Sequence, residues 1–162
     1  MESDSPAYRK HPVHHPAIER DNQSIINFVT VCTKDRRPIL ANALAHQALK
    51  LAWKQADSYL VGRYVIMPDH IHFFCSPADP VPPPFTRWMQ YWKSLTARSW
   101  PISDGAKLWQ SSYWDVQLRR GESYSAKWEY IRQNPVRAGL VEKSSQWPHQ
   151  GEMHPLTWHD QV

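Results

Sequence analysis

Two histidines separated by a single residue are the side chains of this sequence best suited to bind a metal. His70 and His72 lie in the apolar run 70–74, directly after Pro68 and Asp69. Because successive side chains of a β-strand point to opposite faces, both imidazoles would project from one face of a strand. Two imidazoles on one face form half of a site for a divalent metal. In a chain with nine histidines, the spacing alone does not separate such a site from ordinary surface histidines.

A phenol and an amide that could complete the site occur later in the chain. On a helix predicted over residues 123–134, Lys127, Tyr130 and Asn134 are spaced three and four residues apart and share one face. The neighbouring face carries Trp128 and would dock the helix on a sheet. If that helix crosses the histidine-bearing strand, the four polar side chains converge. Otherwise Tyr130 is an ordinary half-buried tyrosine.

The elements that must position these residues are predicted from residue type and spacing. Strands are expected at 25–33, 59–67, 70–76 and 113–119, and helices at 43–55, 85–100 and 123–134. The order β-α-β-β-α-β, followed by an added helix, is typical of the ferredoxin-like α+β fold, an antiparallel sheet with helices on one face. The first and third strands would lie in the middle of the sheet, and the added C-terminal helix would carry the tyrosine.

The 162 residues are expected to form one domain with a polar N-terminal arm at 1–24, a body at 25–143 and a C-terminal tail at 144–162. Hydrophobic residues make up 41% and charged residues 21%, which excludes a disordered chain. The net charge of +4 favours an anionic partner without requiring one.

The cysteines and the N-terminus indicate a soluble cytoplasmic protein. Cys32 and Cys75 are far apart in the chain and both fall in predicted strands, so neither a zinc ribbon nor a disulfide framework is expected. The first residues are polar and acidic, with no apolar run of the length that a signal peptide or a membrane span needs.

Three sequence runs together resemble the REP-associated tyrosine transposases, which are HUH single-strand endonucleases with one catalytic tyrosine. The runs are Pro-Asp-His-Ile-His at 68–72, Tyr-Ile-x-x-Asn-Pro-Val-Arg-Ala-Gly-Leu-Val at 130–141 and Phe-Val-Thr-Val-Cys-Thr-Lys-Asp-Arg-Arg-Pro at 28–38. They occur in the expected order, and their combination is specific although each run alone is not. The resemblance implies the ferredoxin-like fold that the pattern of elements also predicts.

The resemblance implies a role for each matching residue of the site. His70 and His72 match the two metal-ligating histidines, and Tyr130 matches the nucleophile that forms a 5′-phosphotyrosine. Asn134 matches the position of a third polar ligand, with Gln133 as the competing candidate. The implied cofactor is a divalent metal, Mg²⁺ or Mn²⁺, and since imidazole suits Mn²⁺ better, we expect Mn²⁺ to bind more tightly.

The implied partner is single-stranded or hairpin DNA, and the chain is expected to be nucleoid-associated, as a monomer or a homodimer. Cations would bind DNA phosphates and an aromatic ring would stack on an unpaired base. The candidate contacts are Arg36, Arg37, Arg87, Tyr91, Arg98, Arg119, Arg120, Lys127, Arg132 and Arg137. Among them Arg87, Tyr91 and Arg98 form a stripe on the second predicted helix that contains no acid.

The resemblance therefore implies a metal-dependent single-strand DNA endonuclease and strand transferase that acts at hairpin-forming repeats. The main alternative is a domesticated protein that binds hairpin DNA without cutting it. A histidine-triad-like nucleotide hydrolase is a more distant alternative, because it would need a further histidine on the same strand, where residue 74 is Phe74.

Overall fold

Antiparallel pairing in the order β4-β1-β3-β2-β5 builds the sheet at the centre of the molecule. The computed structural model describes residues 25–101, 106–118 and 123–156. The strands are β1 (Asn27–Cys32), β2 (Tyr59–Ile66), β3 (His70–Pro77), β4 (Trp114–Gln117) and β5 (Gln150–Glu152). The helices are α1 (Ala43–Gln55), α2 (Phe85–Arg98), α3 (Tyr124–Ile131) and the short α4 (Asn134–Arg137). The predicted ferredoxin-like α+β fold and the central position of β1 and β3 are both confirmed.

One face of the sheet is covered by α1 and α2. Ile71 and Phe73 of β3 point to this face and are fully buried against Trp88 and Trp92 of α2. These large rings interlock at edge-on and tilted angles, which adds favourable aromatic contacts to the burial of their area. The predicted tryptophan stripe of the second helix is therefore core.

The first helix begins where its capping residue predicts. The Asn42 side chain accepts a hydrogen bond of 2.9 Å from the backbone N–H of Ala45, which satisfies one of the free N–H groups of the first turn. Leu49 and Trp53 then bury the inner side of α1 against the sheet. Among the described residues, no helix is long and apolar enough to cross a membrane.

The opposite face of the sheet is covered by α3. Phe74 of β3 packs there with Trp128 and Ile131, and strand alternation places His70 and His72 on that same face. The expectation that the first two helices share one face is confirmed, while the added helix lies on the other face. The histidines and the tyrosine-bearing helix are thus on the same side of the sheet.

The third helix is shorter than the spacing predicts. It ends at Ile131, and the turn at 132–133 leads into α4, whose second residue is Pro135. Proline lacks the N–H that would bond to the carbonyl of Ile131, and its ring would collide with that carbonyl in a continuous helix. Asn134 therefore starts α4 instead of ending α3, and Gly139 closes α4 in the left-handed region at φ 73°.

Residues 144–156, the described part of the predicted C-terminal tail, pack on the body of the molecule. A 3-10 turn at Ser144–Gln146 leads to β5, which pairs with β2 at the edge of the sheet. The Trp147 indole donates a hydrogen bond of 3.0 Å to the backbone carbonyl of Ile66. Trp147 and Leu156 also pack against the cluster beneath α3. The predicted arm at 1–24 and residues 157–162 lie outside the described residues.

An irregularity in β2 anchors α3. The register of β2 against β3 shifts between Val61 and Tyr64, which turns the backbone N–H of Arg63 away from the ladder. That N–H donates a hydrogen bond of 2.9 Å to the Tyr124 hydroxyl at the start of α3. A Cβ at Gly62 would lie 2.6 Å from this hydroxyl and 2.6 Å from Leu156, so the approach of α3 and of the C-terminal segment requires glycine here.

We expect Gly62→Ala to destabilise the fold by about 1–3 kcal/mol, because the added methyl group must displace Tyr124 and Leu156. Tyr124→Phe removes the hydroxyl and with it part of the collision. The two changes should therefore cost less together than the sum of their separate costs, as a double-mutant cycle by urea unfolding would show. Strict additivity would contradict the contact between the bulge and the helix.

Candidate metal and tyrosine site

The two histidine rings lie next to each other on the α3 side of β3. Their centroids are 4.8 Å apart and the ring planes are inclined at 80°. Across the sheet, His70 is paired in register with Cys32 and His72 with Thr30, both on β1. Because β1 and β3 are central strands, the imidazoles are carried by one of the most constrained parts of the sheet.

A carboxylate fixes the ring of His70. Asp69 Oδ1 lies 2.7 Å from His70 Nδ1, and Asp69 Oδ2 accepts a hydrogen bond of 2.9 Å from Arg36 Nε. Although burial alone would raise it, the pKa of Asp69 is held below its usual range by the hydrogen bonds from His70 and Arg36. An ionised carboxylate only accepts hydrogen bonds, so Nδ1 of His70 carries the proton and Nε2 keeps its lone pair.

The ring of His72 is held from two sides. Its Nδ1 lies 2.8 Å from the Thr30 hydroxyl, which can accept the Nδ1–H. The Phe28 ring stacks on the imidazole, with centroids 5.4 Å apart and planes inclined at 19°. Burial, with smaller effects of the nearby cations, lowers the pKa of His72 to about 3. The imidazole is therefore neutral over the physiological range.

The donor set fits a divalent metal. Burial also lowers the pKa of His70, an effect that Asp69 partly offsets, so both rings are in the neutral form that binds metal. Within the described part of the chain, neither Nε2 atom has a hydrogen-bond partner. No group of three or more His, Cys, Asp or Glu side chains forms a metal cluster among the described residues. A third protein ligand would therefore have to be of another type, such as an amide oxygen.

The tyrosine is accessible on α3, with 64% of its surface exposed. The Arg137 guanidinium lies 4.2 Å from the centroid of the Tyr130 ring. Lys127, one turn earlier on the helix, places its Nζ 5.3 Å from the Phe28 ring that stacks on His72. The face of α3 that carries Tyr130 is thereby linked to the histidine pair.

The two amides considered as third ligand point in different directions. Asn134 Oδ1 accepts a hydrogen bond from Arg137, which also contacts Tyr130. Gln133 instead directs its Nε2 toward the Ser144 hydroxyl, 3.4 Å away. The side-chain amide of Asn134, and not that of Gln133, therefore shares a partner, Arg137, with the tyrosine. Its role as a metal ligand stays a prediction.

Several predicted DNA contacts have protein partners near the site. Arg36 is bound to Asp69 and donates to the Cys32 sulfur at 3.1 Å, so it supports His70 through the carboxylate. Arg37 donates to the carbonyl of Lys107, and Arg132 forms an exposed ion pair with Glu129 at 3.1 Å. Arg119 and Arg120, which are also predicted DNA contacts, lie outside the described residues.

The stripe of the second helix is not brought together with the histidines. Arg87, Tyr91 and Arg98 are exposed on the outer side of α2, which covers the opposite face of the sheet. Arg98 borders a groove of about 620 Å³ between α1 and α2, whose other lining residues are Leu51, Ala52, Lys54, Gln55, Leu95 and Ser99. Any DNA contact made by this stripe would be separate from the histidine site.

Sequence reasoning missed the residues that orient the imidazoles. The sequence patterns predict no role in the site for Asp69, and they predict for Thr30 and Phe28 only a place in the first strand. A carboxylate directly before a ligand-type histidine was an available signal for Asp69. Thr30 and Phe28 could be found only from the register of β1 against β3, which pairs Thr30 with His72.

The chain is similar to known proteins in both sequence and structure. No family model matches the chain. A curated protein of Escherichia coli strain K12, the REP-associated tyrosine transposase, is 28% identical over 126 residues, which cover 75% of this chain and 72% of the relative. A solved structure of a REP-associated tyrosine transposase bound to a REP hairpin superposes with a TM-score of 0.65 at 22% identity, covering 88% of this chain and 80% of that one. The predicted fold and the resemblance seen in the sequence motifs are confirmed.

Acid should destabilise the metal-free protein partly through His72. Its pKa is about 3 in the folded chain and 6.5 as an ordinary value, so the unfolded chain takes up the proton first as the pH falls. The stability that the neutral, half-buried ring contributes is complete above pH 6.5 and is lost progressively toward pH 3. Between about pH 7 and 4.5, the wild type should lose about 2 kcal/mol more than His72→Gln. Urea unfolding with a chelator present measures this free energy, and equal losses would contradict a lowered pKa of His72 in the folded chain.

Proposed function

We propose, on the premise that the chain is a homologue of a REP-associated tyrosine transposase, that it is a metal-dependent single-strand DNA endonuclease and strand transferase. Its substrate would be hairpin-forming repeat DNA, and its intermediate a 5′-phosphotyrosine on Tyr130. The observation that carries the proposal is the way in which the two imidazoles are oriented. Both use Nδ1 for a protein contact, to Asp69 and to Thr30, and both leave Nε2 without a partner in the described part of the chain.

The residues that would hold the metal are His70, His72 and the amide oxygen of Asn134. A bound Mg²⁺ or Mn²⁺ would neutralise charge on the scissile phosphate and stabilise the charge that develops there. The carboxylate of Asp69 makes His70 a better ligand by fixing its tautomer and orientation. The Phe28 ring, stacked on His72, excludes water from one side of the pair and keeps that ring from turning.

The exposed phenol of Tyr130 would act as the nucleophile. Its oxygen forms a bond to the phosphorus while the bond from phosphorus to the 3′ oxygen breaks. The phenolic proton passes to water, and the released 3′ oxygen takes up a proton to become a hydroxyl. One ester replaces another, so the covalent phosphotyrosine conserves the bond that a later 3′-hydroxyl attacks when the strand is rejoined.

The cations around Tyr130 are suited to hold the DNA backbone at the point of attack. Arg137 lies over the Tyr130 ring, and Lys127, one turn earlier on α3, lies over the Phe28 ring that stacks on His72. Positive charge there would attract phosphates without reading the base sequence. The solved structure with similar fold holds a REP hairpin, and we propose DNA of the same kind for this chain.

The tyrosine mechanism is tested with end-labelled single strands that carry hairpins from the repeats of the source genome. With Mn²⁺ or Mg²⁺, the wild type should cut the strand and form a protein–DNA adduct that survives denaturing electrophoresis. Tyr130→Phe keeps the ring and its contact with Arg137, so it should bind the same DNA but give neither product. Tight hairpin binding by both proteins without any cut would overturn the proposal and favour a non-cleaving DNA-binding protein.

The support given by Asp69 to the metal site can be measured without any reaction. Asp69→Asn loses the charge that fixes His70 and should weaken Mn²⁺ binding by about 10- to 100-fold, as titration calorimetry would show. Asp79→Asn, in the exposed loop after β3, is the matched control and should bind as the wild type does. If both variants bind Mn²⁺ equally well, Asp69 has no part in the site.

A further inference from the structure

Arg137 binds both of the residues that the proposed reaction needs from the C-terminal part of the site. Its Nη2 donates a hydrogen bond of 2.7 Å to the backbone carbonyl of Tyr130 and another to Asn134 Oδ1. The same guanidinium lies over the Tyr130 ring, 4.2 Å from its centroid. The turn from α3 into α4 creates this arrangement, because it brings residue 137 back beside residue 130.

These contacts place a cation on the amide oxygen that is the candidate third metal ligand. A guanidinium and a divalent metal at the same oxygen would repel each other strongly at so short a separation. Arg137 is also close enough to His72 for its charge to act on the imidazole. The arrangement seen in the structure therefore opposes metal binding at Asn134.

The Arg137 guanidinium can be drawn away from Asn134 Oδ1 by a stronger partner. Arg137 is exposed, and both of its acceptors are neutral amide oxygens. A DNA phosphate is a stronger partner than a neutral carbonyl, because it is charged and matches the planar fork of the guanidinium. Moving to a phosphate would free Asn134 Oδ1 while leaving the charge near the tyrosine.

We propose that Arg137 acts as a latch that keeps Asn134 from the metal until DNA binds. In the absence of DNA the guanidinium occupies Asn134 Oδ1, and when a phosphate of the strand takes the guanidinium, the amide oxygen becomes available to the metal. DNA and metal then bind with positive coupling, each raising the affinity for the other. Arg137 is a positioning residue in this account, and the account rests on the proposed metal site.

The test measures Mn²⁺ affinity by electron paramagnetic resonance in a Tyr130→Phe protein, which cannot cut the strand. Without DNA, the added change Arg137→Ala should tighten Mn²⁺ binding by about fivefold or more. When a hairpin-bearing single strand is added, the parent protein should gain affinity by a similar factor and the Arg137→Ala protein should not. A purely structural role for Arg137 would give weaker binding on its removal, never tighter.

Three further variants make the result specific. His72→Ala, with and without DNA, gives the Mn²⁺ that binds elsewhere, and this background is subtracted. Lys50→Ala removes an exposed positive charge from α1, which covers the other face of the sheet, and should leave the affinity unchanged. Arg137→Lys keeps the charge but not the planar fork, so its affinity should lie between those of the parent and Arg137→Ala. Thermal unfolding confirms that each variant is folded.

The outcomes separate the latch from the proposed function. If the parent binds Mn²⁺ at the histidines but Arg137→Ala binds it equally or more weakly, the latch is wrong and the metal site stands. If Lys50→Ala tightens binding as much as Arg137→Ala does, the effect is one of overall charge and the latch is again wrong. If neither the parent nor Arg137→Ala binds Mn²⁺ above the background, both the metal site and the latch are wrong.

Discussion

The register of β1 against β3 is the constraint on which the rest of the site depends. It sets Thr30 opposite His72 and Cys32 opposite His70, so that the partners of both imidazoles come from the neighbouring strand or the turn before β3. A slip of one residue would turn every side chain of β3 to the other face and send the histidines into the core beneath α1 and α2. The fully buried side chains of Ile71 and Phe73 oppose such a slip. Packing on one face of the sheet thus determines the chemistry available on the other.

The loop between β1 and α1 also helps to hold the histidine pair in place. Asp35 and Arg36 both have positive φ values, 57° and 53°, which cost free energy in residues other than glycine. The conformation lets the Arg36 guanidinium reach back to Asp69 and to the Cys32 sulfur. This charged loop is a predicted DNA contact. It also completes the hydrogen-bonded chain from Arg36 through Asp69 to His70.

Local patterns predicted most of the fold, and long-range contacts account for what they missed. Alternation placed His70 and His72 on one face, and the Asn42 cap and the tryptophans of α2 placed the first two helices, because these signals lie within single elements. The strand Gln150–Glu152 has no β-branched or aromatic residue of its own and exists because the edge of β2 offers it a partner. The sequence also did not predict that the stripe of Arg87, Tyr91 and Arg98 would lie away from the histidines. Which face of the sheet a helix covers is decided by the whole topology.

The bulge in β2 limits the substitutions that this fold can accept. Gly62 receives the Tyr124 hydroxyl from α3 and the Leu156 side chain from the C-terminal segment in one confined space. Gly62, Tyr124 and Leu156 are far apart in the sequence but share this space. A larger residue at one of these positions is therefore accepted only with a smaller residue at another. The position of α3 therefore depends on the C-terminal segment as well as on the bulge. Substitutions in that segment are therefore limited by the position of α3.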